Sequence, residues 1–337
     1  MSHLKFFPDL TKKDVAIAGG KGASLGELTR AGIPVPPGFV VLAAAWDRFL
    51  EETDLNAEIM ARLKEVNPAD TNSVDRASNV LRDAIHDRSL PADLGEEILA
   101  AFDELGSKKS GARNDSACLV AVRSSATAED SAVASWAGEL ETYLNTRREN
   151  VLERVKLCWS SLFTPRAIFY RHEKNLIDHY VSVAVVVQQM VQSEISGIAF
   201  TVHPVTEDRD QMIIEAGFGL GEAIVGGQIT PDSYVVSKSE MSIIDINVST
   251  QTRKLVKKVK GGKGQTDEEN KSNEWVDLSE AEGGRQKLSG QQIIELAAIC
   301  QRIEKHYGFP CDIEWAYEGG KFYVTQSRPI TTLKIRG

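Results

Sequence analysis

A lysine set among glycines is the first feature of the sequence that could bind an anion. Lys21 lies in the stretch Gly19-Gly20-Lys21-Gly22. Glycines at a helix N-terminus let backbone N–H groups approach an anion, and the lysine adds a positive charge. The apolar run before it predicts a short strand, with a helix beginning at the lysine. The same pattern is compatible with a solvated lysine in a turn.

A second candidate follows an apolar run at residues 118–122, which predicts a buried strand ending at Arg123. Two serines come next, and an arginine followed by hydroxyl groups suits phosphate oxygens, because the guanidinium forms two parallel hydrogen bonds. The alternative is a structural arginine that pairs with Glu129 or Asp130.

The third candidate is a pair of oxygen ligands near the C-terminus. Glu314 and Gln326 lie on either side of Gly319-Gly320, which predicts the turn of a hairpin. Their even offset lets a simple hairpin place both on one face, together with Arg328 and a weaker ligand candidate, Asp312. Oxygen ligands from neighbouring strands suit Mg²⁺ held jointly with phosphates. A carboxylate beside a glutamine is also common on ordinary exposed sheets.

The length and composition of the chain allow either two ordinary domains or one large domain with two lobes. The chain has 337 residues, of which 42% are apolar and 26% charged, and its net charge is −9. We therefore expect no nucleic-acid partner, since such proteins usually carry a basic excess. No apolar run reaches the roughly 18 to 20 residues that cross a bilayer, and four scattered cysteines suit a reducing compartment. We expect a cytoplasmic protein with no membrane association.

Other motifs fail on inspection. Residues 22–26 (GASLG) fit the hydrolase pattern GxSxG, but the chain lacks an HGGG-type oxyanion loop. Residues 217–221 (GFGLG) place the third glycine one position too early for a dinucleotide site. No P-loop occurs, and the six histidines show no HxxxH or HExxH spacing.

The periodicity predicts how the candidates are positioned. Residues 54–105 are helical, with breaks at Pro68 and Pro91, and residues 151–175 are helical as well. Residues 257–282 are polar and predict a loop or lid. Ser289 is the expected N-cap of a long helix. Strands are predicted in VSVAVVVQQMV, SGIAFTV, QMIIEA, SYVVSK and SIIDINV.

Together these stretches resemble the ATP-binding domain of the phosphoenolpyruvate synthase and pyruvate phosphate dikinase family. They occur in the family's order and cover nearly all of residues 15–332. The matching stretches are GGKGASLGEL, IPVPPGF, AVRSSATAEDS, ASWAGELETYLN, VVVQQMV, SGIAFTVHPVT, EAGFGLGEAIVGG and DIEWA with VTQSRPITTL.

The resemblance implies an α+β fold of the ATP-grasp type, in which two lobes clasp ATP. The helix-rich N-terminal lobe would cover residues 1–190 and include a helical insertion at 54–106. The strand-rich C-terminal lobe would cover residues 191–337 and carry a metal-binding hairpin at 311–328.

The resemblance also assigns residues. Lys21, Arg123 and Arg328 match catalytic groups that contact phosphates, and Glu314 and Gln326 match the Mg²⁺ ligands. The positions that match the ATP-binding set are Lys21, Arg123, Gly138, Thr142, Gln188, Glu215 and Arg328.

By the same resemblance, the protein would bind MgATP and transfer a phosphoryl group to a histidine on a separate domain or chain. The family's overall reaction converts ATP, pyruvate and water into phosphoenolpyruvate, AMP and phosphate. Family members carry that histidine in a Thr-Ser-His segment, which this sequence lacks, so we expect the chain to be incomplete without a phosphohistidine domain. The alternatives are the ATP-binding part of an enzyme like rifampin phosphotransferase, or a non-catalytic nucleotide-binding module.

Overall fold

A computed structural model describes residues 2–107, 118–127, 141–177, 181–258 and 273–331. The chain forms two compact units. The first consists of Met1–Glu27 and Pro37–Met190, and the second of Leu28–Pro36 and Val191–Gly337. Residues 28–36, which the sequence analysis assigns to the N-terminal lobe, therefore belong to the second unit.

The first unit is built on an antiparallel five-stranded sheet with the order β1-β2-β5-β3-β4. Its strands are β1 (Leu4–Phe6), β2 (Gly38–Val41), β3 (Val120–Ala126), β4 (Thr142–Thr146) and β5 (Val183–Gln189).

Helices dominate the rest of this unit. The predicted helical region at residues 54–105 is confirmed as three helices that break near Pro68 and Pro91. The predicted helix at 151–175 is interrupted by a 3-10 turn and restarts at Pro165. The helices are α1 (Val15–Arg30), α2 (Ala43–Thr53), α3 (Leu55–Glu65), α4 (Thr71–Asp87), α5 (Ala92–Ser107), α6 (Val151–Ser160) and α7 (Pro165–Glu173).

The hydrophobic core of the first unit covers one face of its sheet. Val120 and Val122 of β3, and Val185 and Val187 of β5, belong to this core with Trp46. Side chains alternate between the faces of a strand, so the residues between these valines point to the opposite face. That opposite face carries the candidate site residues of this unit.

The second unit contains a six-stranded sheet with the order β13-β12-β6-β7-β8-β9 and a separate ribbon, β10-β11. The strands predicted in SGIAFTV, QMIIEA, SYVVSK and SIIDINV form here as β6 to β9. The strands are β6 (Ile195–Phe200), β7 (Gln211–Phe218), β8 (Asp232–Ser237), β9 (Ser242–Asn247), β10 (Arg253–Lys257), β11 (Asn273–Asp277), β12 (Cys311–Glu318) and β13 (Lys321–Pro329).

Part of the region predicted as a loop or lid, residues 257–282, forms helix and strand. A short helix, α8 (Glu222–Val225), precedes this region. Within it, residues 273–277 form β11, and α9 (Glu280–Gly283) follows. Residues 259–272 lie outside the described residues. The prediction of a loop was therefore wrong for residue 257, which ends β10, and for residues 273–277 and 280–282.

The long helix α10 (Gly290–Tyr307) covers one face of the six-stranded sheet. Ser289 is its N-cap, as predicted, and forms a capping box with Gln292. Ile293 and Leu296 of this helix pack with Ile313 in the second core. None of the described helices has the length and apolar character needed to cross a membrane.

Candidate functional site

The glycine segment around Lys21 is helical on both sides, so the predicted strand before the lysine is wrong. Helix α1 includes residues 15–18 and breaks at Gly19, whose φ and ψ are 68° and 169°. A Cβ at Gly19 would lie 2.2 Å from Oγ of Ser125. The Ser125 hydroxyl donates to the carbonyl oxygen of Ala18 (3.0 Å) and accepts from the Gly22 amide (3.3 Å). Ser125 thus holds the segment with Lys21 against β3.

Arg123 lies inside β3 and not at its end, because β3 continues to Ala126. The side chain is buried, with 8% exposed. Arg123 is opposite Thr142 of β4 and Val186 of β5, while Gln188 is opposite Ala121. Directly opposed residues share a face of an antiparallel sheet. Three predicted site residues therefore lie together on the face opposite the core.

The serines after Arg123 have structural roles that the sequence did not reveal. Oγ of Ser124 lies on the core side, within 3.1 Å of the carbonyl oxygens of Glu141 and Cys158. The Ser125 hydroxyl is engaged with α1, as described above. Both hydroxyl groups thus bond to the protein itself, and a phosphate contact by these groups stays a prediction.

The side-chain nitrogen of Gln188 is buried and lacks a hydrogen-bond partner among the described residues. The residue is 2% exposed, and within the described part of the chain its Nε2 forms no hydrogen bond. Leaving a buried donor unpaired costs about 1 to 3 kcal/mol. Such a cost is typical of a position that meets a ligand, and this amide shares its face with Arg123.

In the second unit, Glu314 and Gln326 are directly opposite each other on β12 and β13. The prediction that they share a face is confirmed, but the hairpin is not a simple one. From the turn at Gly319-Gly320 the register runs evenly to Trp315 and Val324, and then shifts by one residue. Without this bulge, Glu314 would face Thr325. The bulge therefore places Gln326, and not Thr325, opposite Glu314.

More charged groups occupy the same face as Glu314. Glu215 of β7 lies two strands away in the same row, since both are opposite Ile198. Asp312 is opposite Arg328, and its Oδ2 is 2.7 Å from Nη2 and 2.9 Å from Nε of that arginine. Burial, and then the charge of Asp312, raises the pKa of Glu215 above its ordinary value. The face thus concentrates negative charge beside an arginine.

This donor set fits Mg²⁺ better than a transition metal. A carboxylate and an amide oxygen, from Glu314 and Gln326, are hard ligands, and Mg²⁺ takes few protein ligands when phosphates complete its shell. The described residues contain no group of three or more His, Cys, Asp or Glu side chains that could hold a metal.

Gly138, which the resemblance assigns to the ATP-binding set, lies outside the described residues. Glu222 lies in the glycine-rich stretch EAGFGLGEAIVGG that shares this resemblance. Glu222 begins the short helix α8 and accepts a hydrogen bond from Nδ2 of Asn273 at 3.2 Å. Sequence reasoning missed Ser125 as the anchor of the glycine segment, and missed the bulge at Thr325. The sequence does contain a signal for the bulge. A two-residue turn directly pairs only residues whose numbers differ by an odd amount, whereas Glu314 and Gln326 have an even offset.

Comparison with known proteins identifies what the chain is similar to. Residues 15–336 match the family model described as "Pyruvate phosphate dikinase, AMP/ATP-binding domain". A probable phosphoenolpyruvate synthase of Methanocaldococcus jannaschii is 46% identical over 336 residues, which cover 99% of this chain and 27% of that protein.

Two more relatives give the same result. A probable phosphoenolpyruvate synthase of Methanothermobacter thermautotrophicus is 43% identical over 99% of this chain and 46% of its own length. The phosphoenolpyruvate synthase of Pyrococcus furiosus is 40% identical over 98% of this chain and 44% of its own length. The chain thus spans less than half the length of each of these relatives.

Proposed function

The chain belongs to the family of the pyruvate phosphate dikinase AMP/ATP-binding domain, and we propose that it binds MgATP and transfers a phosphoryl group. The observation that carries this proposal is the shared sheet face of Arg123 and Gln188, with the Lys21 segment anchored to the same strand by Ser125. The guanidinium of Arg123 and the lysine among glycines, Lys21, suit the phosphates of a nucleotide. Nε2 of Gln188, which lacks a partner among the described residues, suits a hydrogen bond to the base.

In this proposal, the first unit binds the nucleotide itself. Arg123 and Lys21 bind phosphate oxygens, and the unpaired amide of Gln188 hydrogen-bonds the adenine. Thr142, which is exposed and directly opposite Arg123, contacts the phosphates as well. Gly138 belongs to the same proposal, although it lies outside the described residues.

The second unit is assigned the metal and further phosphate contacts. Glu314 and Gln326 would hold Mg²⁺, which would supply positive charge to neutralise phosphate. Arg328 would bind phosphate, with its guanidinium oriented by Asp312. Glu215 lies on the same face and borders the nucleotide.

The chemistry of transfer is positioning and charge neutralisation. Three cationic side chains, those of Lys21, Arg123 and Arg328, offset negative charge that develops on the transferring group. A histidine on a separate domain or chain accepts the phosphoryl group through its own nucleophilic nitrogen. With such a partner, the proposed overall reaction converts ATP, pyruvate and water into phosphoenolpyruvate, AMP and phosphate.

The variant Gln188→Met tests where the nucleotide binds. Methionine fills a similar volume but lacks the amide, so the buried unpaired donor disappears. We expect the free energy of unfolding to stay equal or rise, whereas MgATP affinity falls about 10-fold through the lost hydrogen bonds. Urea unfolding and calorimetric titration measure the two quantities on the same protein.

The neighbouring residue provides a matched control. Gln189 is opposite Val120 on the core side, and its Nε2 donates to the carbonyl oxygen of Leu105 at 3.0 Å. Gln189→Met should therefore lose about 1 kcal/mol of stability and keep its MgATP affinity. If Gln188→Met binds MgATP as tightly as wild type, the assignment of adenine to this amide is wrong.

A further inference from the structure

The strand that carries Thr142 is fixed from its core side by a small cluster of polar side chains. Thr142 is opposite Arg123, whereas Tyr143 packs against the hydrophobic core of the first unit. The backbone amide of Ser124 donates to the carbonyl oxygen of Glu141 at 3.2 Å, which continues the pairing of β3 with β4 by one residue. Side chains alternate along a strand, so Glu141 and Tyr143 share the core side and Thr142 lies between them on the other face.

The carboxylate of Glu141 bonds both to its own strand and to a distant helix. The Tyr143 hydroxyl donates to Oε2 of this carboxylate, which ties together the two residues on either side of Thr142. Nη2 of Arg82, on α4, donates to Oε1 at 3.0 Å and to Oε2 at 3.1 Å. The guanidinium of Arg154 lies 5.0 Å from the ring centroid of Tyr143, which is a cation–π contact. The backbone at Thr142 is therefore held through both neighbouring side chains.

Two properties of this cluster make its effect on a ligand measurable. Burial, and then the hydrogen bond to Glu141, raises the pKa of Tyr143 above its ordinary value, so the hydroxyl remains a donor. The side chains of Arg82 and Glu141 are 23% and 30% exposed. Ion pairs that solvent reaches contribute little to folding stability. An effect of Arg82 on ligand affinity can therefore be separated from an effect on folding.

We propose that Arg82 is a positioning residue for the nucleotide site, which acts through Glu141 to hold Thr142 toward the phosphates. The inference rests on the proposed function, in which Thr142 and Arg123 contact phosphate. Arg82 contacts Glu141 on the core side of the sheet, so it acts on the opposite face only through β4. A backbone that is already fixed when the ligand arrives lowers the entropy cost of binding. Helix α4 thus supports the site from behind the sheet.

Calorimetric titration with MgATP tests this role on wild type, Arg82→Met and a control, Arg48→Met. Arg48 belongs to the same unit, is 26% exposed and donates to both carboxylate oxygens of Asp93 at 2.9 Å. We expect Arg82→Met to bind MgATP about 3- to 10-fold more weakly, and Arg48→Met to bind it like wild type. Urea unfolding should show similar small losses of stability for the two variants, because the two arginines have similar exposure.

A double-mutant cycle shows whether the effect passes through Thr142. Thr142→Val keeps the shape of the side chain and removes its hydroxyl, so MgATP affinity should fall. On this background Arg82→Met should cause little further loss, whereas independent effects would multiply. Two smaller changes test the same contacts. Tyr143→Phe should weaken binding, and Arg82→Lys should keep most of the affinity, because a single nitrogen of Arg82 forms both hydrogen bonds.

The outcomes separate this inference from the proposed function. If wild type does not bind MgATP, both are overturned. If wild type binds and Arg82→Met binds as tightly, or if Arg48→Met is weakened as much as Arg82→Met, only the positioning role of Arg82 is overturned. A Thr142→Val variant that binds like wild type, or independent losses in the double variant, would overturn the action of Arg82 through Thr142.

Discussion

Replacement of Arg123 by methionine is expected to remove most of the MgATP affinity while leaving the fold intact. Arg123 is buried, and Ser125, two positions later on the same strand, bonds to the segment that carries Lys21. On the proposed function the guanidinium of Arg123 binds phosphate. Truncating one member of a buried charged hydrogen-bonded pair costs about 2 to 5 kcal/mol, which is about 30-fold or more in affinity. Calorimetric titration with MgATP measures this loss.

Two further variants separate charge from geometry. Arg123→Lys keeps the charge but loses the two-pronged donor, so its affinity should be intermediate. Arg148→Met removes an exposed cation of the same unit that pairs with Asp103 at 2.7 Å, and it should bind MgATP like wild type. Equal affinities for Arg123→Met and Arg148→Met would contradict a phosphate contact at Arg123.

Replacement of Lys287 by methionine should destabilise the second unit strongly. Nζ of Lys287 lies 2.9 Å from Oδ1 of Asp232, and both side chains are fully buried. The carboxylate also accepts from the Tyr234 hydroxyl (2.7 Å) and the Ser249 amide (3.0 Å). Removing one partner leaves a buried charge uncompensated, which costs about 3 to 5 kcal/mol. Urea unfolding followed by circular dichroism measures the change.

An exposed ion pair serves as the comparison. Asp93 accepts hydrogen bonds from Arg48 at 2.9 Å, but its side chain is 70% exposed. Asp93→Asn should therefore change the unfolding free energy little, since solvent screens such pairs. The double variant Asp232→Asn with Lys287→Met should recover part of the loss, because no buried charge remains. A Lys287→Met protein as stable as wild type would show that the buried pair contributes no stability.

Much of the secondary structure could be predicted because local signals there agree with tertiary packing. Pro68 and Pro91 interrupt helices whose apolar faces are clear, and Ser289 has the side chain that caps a helix. The hairpin turn is specified by two adjacent glycines with positive φ, Gly319 and Gly320. In these places, the residue that determines the local structure lies within a few sequence positions of the element that it starts or ends.

The failures occurred where a distant residue decides the conformation. The run before Lys21 is apolar enough for a strand, but Ser125, about a hundred positions later, accepts and donates the hydrogen bonds that hold it as a kinked helix. The region after residue 272 is polar, yet Asn273–Asp277 pairs with Arg253–Lys257 as a ribbon. Composition alone does not reveal such pairing.

The candidate site was predictable in residue type and only partly in geometry. Arg123 is a candidate from its own stretch and Gln188 from the family resemblance, but their common sheet face depends on the pairing of β3 with β5. The Glu314 and Gln326 pair was expected from an even offset, whereas the bulge at Thr325 is what brings the two opposite. Sequence specifies the chemistry of these groups, and strand register determines which of them meet.

Calorimetric titration of the whole chain with ATP, in Mg²⁺ and in excess chelator, tests MgATP binding most directly. We expect binding in Mg²⁺ that is much weaker with chelator, and a Glu314→Gln variant that has lost most of this difference. Absence of binding by ATP in the presence of Mg²⁺ would contradict the proposed function.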